Sequence, residues 1–361
     1  MASSKTILVC PLNWGIGHAT RLVPVIQELL NRRQKVVIAA DGRPLAFLVR
    51  QFPGSDFIRF PSHEPRYATA NHQFLKLASQ TPDFISSYHN DRKKTDSIVK
   101  TTQADAIISD NRFGAFSKEI PSVYITHQLH LVLPSGLGFL RPIADHMHHR
   151  IIKNYSECWI PDYDAADNLA GRLSSPLPKK GRFYYIGLLS RFENYGSGLH
   201  FHAEQGLLVL LSGPEPQRTI LENIVLNQLR SSTQQATILR GLPEHTEIPE
   251  LPSHIRMINH TDDTELAGLI SGAKYIIARA GYSTIMDLIS LGRTATLIPT
   301  PGQSEQEYLA DRLHRKAVFQ KVSQADFQLD KVLQYASTQP FSYPKQPSVL
   351  ETHIHHWLKR I

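Results

Sequence analysis

Cysteine is almost absent from this chain, whose 361 residues include only Cys10 and Cys158. Two thiols cannot form a disulfide framework or a zinc site built of several cysteines, so both classes are excluded. Apolar runs of about 18 residues, which a membrane-spanning helix requires, are also missing. The N-terminal segment lacks the charged front and apolar stretch of a signal peptide. We therefore expect a cytoplasmic protein without a membrane span.

Acidic residues are outnumbered, with 39 Lys and Arg against 32 Asp and Glu, for a formal net charge of +7. A basic excess suits anionic partners such as nucleotides, nucleic acid or an acidic membrane surface, and does not choose among them. Basic residues are not interleaved with aromatic ones in a stripe, so we expect no nucleic-acid partner. Hydrophobic residues make up 41% of the chain, enough for two ordinary folded domains at this length.

Apolar runs alternate with amphipathic segments in both halves of the chain. This alternation indicates an α/β fold of two doubly wound, Rossmann-like domains, each a parallel sheet covered by helices. We place the join between Tyr185 and Glu204, where Gly187, Gly196 and Gly198 cluster, and assign residues 1–187 and 188–345 to the two domains. The predicted strands are 5–10, 35–40, 106–109, 122–126, 158–160, 207–211, 237–240, 256–258, 275–278 and 296–298, and the predicted helices are 20–32, 44–51, 217–229, 283–291, 305–316 and 349–361.

A glycine-containing loop follows the first predicted strand and opens a helix. Gly15 and Gly17 let backbone approach a ligand closely, and Asp41 lies about 20 residues beyond, as in dinucleotide-binding loops. Thr20 occupies the third glycine position of that pattern, however. The alternative is that His18 accepts a proton from a hydroxyl, and a third interpretation makes it a helix-start residue that bonds nearby backbone.

Three further loops follow strands in the second half. Ser212 and Gly213 precede a helix, which predicts an anion cradle with Arg218 as its charge partner. Gly281 makes the next turn, and Asp287 lies about one turn inside the helix that follows, within reach of a ligand hydroxyl pair. The loop 299–308 supplies amides and carboxylates, either to a ligand or to a polar turn and helix cap.

Together these residues resemble a known family. The succession Arg279-Ala280-Gly281, Asp287, Gly292, Pro299 and Gln306-Glu307-Tyr308 is similar to the C-terminal half of family 28 GT-B glycosyltransferases. The loop with Gly17 and His18 is similar to their N-terminal loop. The resemblance implies two domains facing a cleft, with the helix 349–361 crossing back to the first domain. It also implies transfer of a sugar from a nucleotide sugar, UDP-linked in the best-known member.

The resemblance further assigns roles in donor binding. Asp287 is expected at the ribose hydroxyls, while Gln306 and Glu307 are expected at the donor sugar. An acid replaces the family's second amide at Glu307, which leaves the identity of the sugar open. The residues implied at the donor diphosphate, base, ribose and sugar are Ser212, Gly213, Arg218, His260, Thr261, Arg279, Gly281, Tyr282, Ser283, Asp287, Gln306 and Glu307.

The implied mechanism is inverting and uses neither a metal nor a cofactor, because helix N-termini stabilise the departing diphosphate. His18 is the first candidate for the base that deprotonates the acceptor, and Asp110, at a strand end, is the second. The acceptor itself is unidentified, and the acceptor-side residues are Gly15, Gly17, Asn111 and His127.

Other functions stay open at this stage. A nucleotide-sugar hydrolase on the same fold shares the Gly-x-Gly-His-x-x-Arg loop seen at residues 15–21, with His18 activating water instead. A basic protein that binds RNA or a membrane surface without catalysis is the other alternative. The apolar segment 129–140, followed by Arg141 and Arg150, suits either contact with an acidic bilayer or packing on its own domain.

Two patterns imitate metal sites. Asp162 and Asp164 match an Asp-x-Asp signature, but they follow a strand, where carboxylates commonly cap loops and helices. The spacing of six histidines suits exposed helix faces better than metal binding, and we expect no metal. These are His146, His148, His149, His353, His355 and His356.

Overall fold

The computed structural model describes residues 4–62, 80–134, 136–193, 195, 206–336, 343 and 346–361. The chain divides into two units. The described residues of the first are 4–62, 80–134, 136–190 and 346–361, and those of the second are 191–193, 195, 206–336 and 343. Gly187, one of the glycines used to predict the join, belongs to the first unit and has a positive φ. Gly196, Gly198 and Glu204 lie outside the described residues.

Most central strands coincide with short apolar runs that are buried on both faces, as a helix-covered parallel sheet requires, whereas β3, β7 and β13 are only partly buried. In chain order they are β1 (Thr6–Pro11), β2 (Lys35–Ala40), β3 (Asp56–Arg59), β4 (Ala106–Asp110), β5 (Ser122–Ile125), β6 (Glu157–Ile160), β7 (Phe183–Tyr185), β8 (Leu207–Leu210), β9 (Ala236–Leu239), β10 (Ile255–Ile258), β11 (Tyr275–Ala278), β12 (Thr296–Leu297) and β13 (Gln320–Lys321).

The helices alternate with these strands, and most place an apolar stripe on a sheet. In chain order they are α1 (Gly17–Asn31), α2 (Gly42–Gln51), α3 (Thr81–Thr102), α4 (Arg141–Ile152), α5 (Gln217–Arg230), α6 (Asp263–Gly272), α7 (Tyr282–Ser290), α8 (Ser304–Arg315), α9 (Leu329–Ala336) and α10 (Leu350–Leu358). Among the described residues, no helix is long and apolar enough to cross a membrane.

Each unit has its own parallel sheet, so the α/β, doubly wound prediction is confirmed. The first sheet has the order β3-β2-β1-β4-β5-β6-β7 and the second the order β10-β9-β8-β11-β12-β13. In both, the order reverses direction beside the first strand of the unit, and ligands bind outside the strand ends at such a point.

The strand register decides which loops become neighbours at these edges. In the first unit, Pro11 at the end of β1 pairs with Asp110 at the end of β4. In the second, Leu210 at the end of β8 pairs with Ala278 at the end of β11. The loop that leads to His18 therefore begins beside Asp110, and the loops after β8 and β11 lie side by side.

The C-terminal helix α10 packs within the first unit. The Trp357 ring meets the Trp159 ring edge to face, with centroids 5.2 Å apart, and both side chains are buried. Arg360 Nη2 donates to Glu157 Oε1 at 2.8 Å. The helix thereby covers the sheet next to β6.

Both cysteines are free and buried. Burial raises the pKa of the Cys10 thiol to about 12, and it raises the pKa of Cys158 as well. Each therefore packs as a small apolar side chain.

Candidate active site

The first candidate site lies at the end of β1 and β4. The Leu12 amide donates to the Asp110 carbonyl at 2.9 Å, which keeps the loop beside β4. Gly15 turns the chain with φ +91°, a left-handed conformation that favours glycine. The chain then enters α1 at Gly17, and His18 follows in its first turn.

His18 and Asp110 are in contact. His18 Nδ1 lies 2.9 Å from Asp110 Oδ1. Arg21, one turn further along α1, donates from Nε and Nη2 to the two carboxylate oxygens of Asp110. The Asp110 side chain is 0% exposed and that of Arg21 2%, whereas that of His18 is 17% exposed. Of the three, His18 is therefore the one that a substrate can reach.

The carboxyl group of Asp110 is ionised in this setting. Its burial acts to raise the pKa, but the charge and hydrogen bonds of Arg21, with those of His18, outweigh burial and lower it below its ordinary value. A buried, ionised carboxylate with two donors at its oxygens is a poor proton acceptor. The structure therefore favours Asp110 as the orienting partner of His18 over its alternative role as the base.

The tautomer of His18 follows from that charge. Its Nδ1 is also 3.0 Å from Arg21 Nη2, which is a donor. The carboxylate therefore favours a protonated Nδ1, whereas the guanidinium favours an unprotonated one. We assign the proton to Nδ1 because the ionised Asp110 attracts it more strongly than a guanidinium repels it. Nε2 is then the nitrogen that can accept a proton, as in other bases oriented by a carboxylate.

Two residues predicted for the acceptor side, His127 and Asn111, lie at the same strand ends as this pair. His127 Nδ1 lies 3.4 Å from Arg21 Nη1. Asn111 has φ +51°, and its Oδ1 accepts a hydrogen bond from the Tyr124 hydroxyl at 3.1 Å. The structure thus brings His127 and Asn111 to the same edge as His18. His127 is buried and Asn111 partly exposed.

Arg279 differs from its expected role at the donor phosphates. Its side chain is 1% exposed, and burial lowers its pKa to about 10. Nη1 donates to the carbonyls of Ile298 and Pro299 at 3.3 Å, while Nη2 donates to the Gln217 carbonyl at 2.6 Å and to Gln324 Oε1 at 2.7 Å. Arg279 therefore ties the loop after β12 to the start of α5, instead of facing a ligand.

Arg218 also differs from expectation. It forms ion pairs with Glu215 and Glu222, both at 2.5 Å, and its side chain is 4% exposed. Arg240 contacts the other oxygen of Glu222 at 2.9 Å. The charge of Arg218 is balanced inside the protein, so it supplies little net attraction for an anion.

Gln306 and Glu307 hold the loop that precedes α8. Gln306 Oε1 accepts from the Thr300 amide at 2.9 Å, and Glu307 Oε1 accepts from the Gly302 amide at 3.1 Å. These bonds fold the loop back on its own helix. Gln306 is partly buried, whereas Glu307 is exposed.

Asp287 lies in a network that the sequence did not predict. Its Oδ2 is 3.5 Å from Arg191 Nε, and Arg191 Nη1 is 2.6 Å from Asp263 Oδ1. Burial, only partly offset by Arg191, raises the pKa of Asp263. Arg191 precedes Asp287 by almost a hundred residues and has no motif around it, so only the folded chain identifies it.

The other predicted donor residues follow β8, β10 and β11, at the carboxyl ends of strands in the second sheet. Ser212 is partly exposed, and Gly213 is exposed with φ +97°. His260 and Thr261 follow β10, and the Thr261 hydroxyl donates to Glu265. The residues that open α7 are the N-cap Gly281, the buried Tyr282 and the partly exposed Ser283.

The metal-like patterns have structural explanations. Asp162 is buried and accepts hydrogen bonds from the amides of Tyr163, Leu169 and Ala170, so it organises its own loop, as the capping interpretation proposed. His148, expected on an exposed face, is buried between the rings of Phe113 and Tyr124. Within the described ranges, no three His, Cys, Asp or Glu side chains are grouped to hold a metal ion.

Several known proteins with a similar sequence or fold are glycosyltransferases. Residues 217–347 match the glycosyltransferase family 28 C-terminal domain. An uncharacterized glycosyltransferase of Methanosarcina acetivorans is 22% identical over 307 residues, covering 81% of this chain and 79% of the relative. A glycotransferase of kitacinnamycin has a similar fold, with a TM-score of 0.65, 15% identity and coverage of 100% of this chain and 96% of that one. MurG of Acinetobacter baumannii has a TM-score of 0.55, 12% identity and coverage of 99% and 100%.

The two parallel-sheet units and these fold neighbours define a GT-B fold. More particularly, the chain is a glycosyltransferase similar to family 28. The resemblance inferred from Arg279 to Tyr308 is thereby confirmed.

Proposed function

We propose that the protein transfers a sugar from a UDP-sugar to an acceptor hydroxyl, with inversion at the anomeric carbon and without a metal ion. The observation that carries this proposal is the partly exposed His18, whose Nδ1 lies 2.9 Å from the buried Asp110. A histidine oriented by an ionised carboxylate is suited to accept the proton of a hydroxyl.

In the proposed reaction, His18 Nε2 takes the acceptor proton as the acceptor oxygen attacks the anomeric carbon. The new carbon–oxygen bond forms on the face opposite the diphosphate, and the bond from the anomeric carbon to the diphosphate oxygen breaks. UDP leaves with that electron pair. The positive charge that develops on the imidazole is stabilised by Asp110.

The leaving diphosphate is proposed to be stabilised by the N-termini of α5 and α7, with Gly213, Gly281 and Ser283 beside it. Because Arg218 and Arg279 are engaged inside the protein, the backbone amides and helix dipoles supply the main positive potential. Asp287 is assigned to the ribose hydroxyls, while Gln306 and Glu307 are assigned to the sugar and His260 and Thr261 to the base.

We also propose that α4 and the turn before it contact an acidic membrane, on the side assigned to the acceptor. Phe139, Ile143 and Met147 are 73%, 61% and 63% exposed, and their spacing of four residues puts them along one side of α4 and the turn before it. Arg141 lies between Phe139 and Ile143 in sequence, with its Nε 3.4 Å from Asp145 Oδ2, and Arg150 follows Met147. This pattern suits an interface where apolar side chains enter the lipid and arginines face its phosphates. Ile143→Ser/Met147→Ser should reduce sedimentation with acidic vesicles and leave UDP affinity unchanged.

The test of the main proposal is a thermal-shift panel of nucleotides and nucleotide sugars, followed by product analysis. A ligand that binds the folded state alone raises the melting temperature, so UDP and one UDP-sugar should stand out. Transfer should then require an added acceptor. Sugar release at full rate without one would favour the hydrolase, and a panel with no nucleotide response would reject UDP.

A further inference from the structure

Thr300 has a buried hydroxyl without a hydrogen-bond partner among the described residues. The residue is 0% exposed, and its Oγ1 makes no hydrogen bond to any of the residues that the structure describes. Such an atom is costly in a folded protein, because the hydroxyl has lost its water and gained nothing in exchange. A valine would fill the same volume without that cost.

The loop that carries Thr300 is held firmly in place. The Thr300 amide donates to Gln306 Oε1 at 2.9 Å, and its carbonyl accepts from the Gln303 amide at 3.1 Å. On the other side, Arg279 Nη1 binds the carbonyls of Ile298 and Pro299, while its Nη2 binds the Gln217 carbonyl. The hydroxyl is therefore fixed relative to the first turn of α5.

The residue that faces the Thr300 hydroxyl is Gly213. A Cβ placed on Gly213 would lie 3.8 Å from Thr300 Oγ1, with no other atom nearer. Gly213 is exposed and has φ +97°, so the space that a side chain would fill is open to a ligand. The positive end of α5 begins four residues later, at Gln217, and its 14 residues give it a full helix dipole.

We propose that Thr300 is a diphosphate-binding residue, which donates its hydroxyl hydrogen to a phosphate oxygen seated against Gly213. The inference rests on the proposed nucleotide-sugar function and names a contact on the donor. An anion there completes the hydroxyl's missing bond and faces the helix dipole. Gln306 and Arg279 act on the same contact as positioning residues, since they hold the loop that presents Thr300.

The experiment compares Thr300→Val with Thr300→Ser and a control, Thr296→Val. Valine keeps the shape of threonine and removes the hydroxyl, while serine keeps the hydroxyl. Thr296 is also buried, but its hydroxyl is already bonded to Gln320 Oε1 at 2.6 Å. Calorimetry would measure the affinity of each protein for UDP, uridine and inorganic pyrophosphate, and thermal unfolding without ligand would check the fold.

For Thr300→Val we expect UDP and pyrophosphate affinity to fall about 10- to 100-fold, the effect of losing a hydrogen bond to a charged group. Uridine should bind as in the wild type. Thr300→Ser should keep most of the UDP affinity, and the unliganded Thr300→Val protein should melt no lower than wild type. Thr296→Val should melt lower and bind UDP normally.

The outcomes separate the two claims. If UDP binds equally well to wild type and Thr300→Val, the Thr300 contact is wrong and the donor assignment stands. If pyrophosphate depends on Thr300 and UDP does not bind, the contact stands and the uridine assignment is wrong. If neither probe binds wild type, both claims are overturned. An equal loss of uridine affinity in Thr300→Val would also overturn the contact, because it indicates a general disturbance.

Discussion

The imidazole of His18 and the carboxylate of Asp110, 92 residues apart in sequence, approach to 2.9 Å at the end of two paired strands. Arg21 binds the same carboxylate from the next turn of α1. The arrangement puts a partly exposed imidazole beside a buried, ionised carboxylate.

His18→Ala should lower kcat by roughly 10²- to 10⁴-fold, the usual contribution of a general base. UDP affinity should change little, because the proposed donor contacts belong to the second unit. Steady-state kinetics and calorimetry measure the two effects. His89→Ala, at an exposed histidine of the same unit, is the matched control and should keep full activity. A His18→Ala protein that turns over normally would exclude His18 as the base.

Asp110→Asn should reduce both activity and stability. The asparagine keeps the shape but leaves the buried Arg21 charge without its partner, which costs about 3 kcal/mol of unfolding free energy in comparable cases. It also removes the charge that orients His18, so kcat should fall. Denaturant unfolding and kinetics test this together.

The double variant Asp110→Asn/Arg21→Met separates the two effects of Asp110. Removing the buried charge should recover part of the lost stability, because no unpaired guanidinium remains. Activity should stay low, since His18 still lacks its carboxylate. Recovery of kcat along with stability would contradict the orienting role.

Asp287→Ala should weaken UDP binding by about 1–3 kcal/mol, as expected for a lost hydrogen bond to a charged group. The comparison is Asp263→Ala, which removes the other carboxylate bound to Arg191. If Asp287 contacts ribose, its variant should bind UDP markedly less tightly than the Asp263 variant. Equal losses would place the effect in the Arg191 network, and no loss in Asp287→Ala would reject the ribose assignment.

The loss of folding stability at acidic pH should depend on His148. Burial, with a smaller effect of His149, lowers its pKa from 6.5 to about 4. Above pH 6.5 both the folded and unfolded states hold the neutral ring, and its contribution is complete. As pH falls from 6.5 to 4, the His148 ring becomes protonated in the unfolded state but stays neutral in the folded state. The free energy of unfolding therefore falls, by up to about 3 kcal/mol.

His148→Leu should therefore lose less stability between pH 6.5 and 4 than wild type, as measured by urea unfolding across that range. It also removes two ring nitrogens that have no hydrogen-bond partner in the described part of the chain, so stability at neutral pH should not fall greatly. His146→Leu on the same helix changes an exposed histidine and should reproduce the wild-type pH dependence. Identical pH profiles for wild type and His148→Leu would show that His148 does not control this loss.

Strands and helices with a strong apolar pattern were predicted nearly to their ends. The helix expected at 217–229 is Gln217–Arg230, and that expected at 283–291 is Tyr282–Ser290. Elements without such a pattern were missed. Strand β3 is only half buried, and α3 is rich in charged and hydroxyl side chains, so neither has an apolar period to detect.

Sequence alone determined the two α/β units, the glycine turns and the placement of His18 at a helix start and Asp110 at a strand end, because parallel strands bring their carboxyl ends to one edge whatever the side chains are. The tertiary structure decided the partners of the charges. Arg21 and Arg191 became neighbours of the candidate residues, whereas Arg218 and Arg279 were drawn into internal bonds. An arginine's long side chain binds whichever carboxylate or carbonyl packing brings within reach, and that choice depends on contacts between segments far apart in the chain.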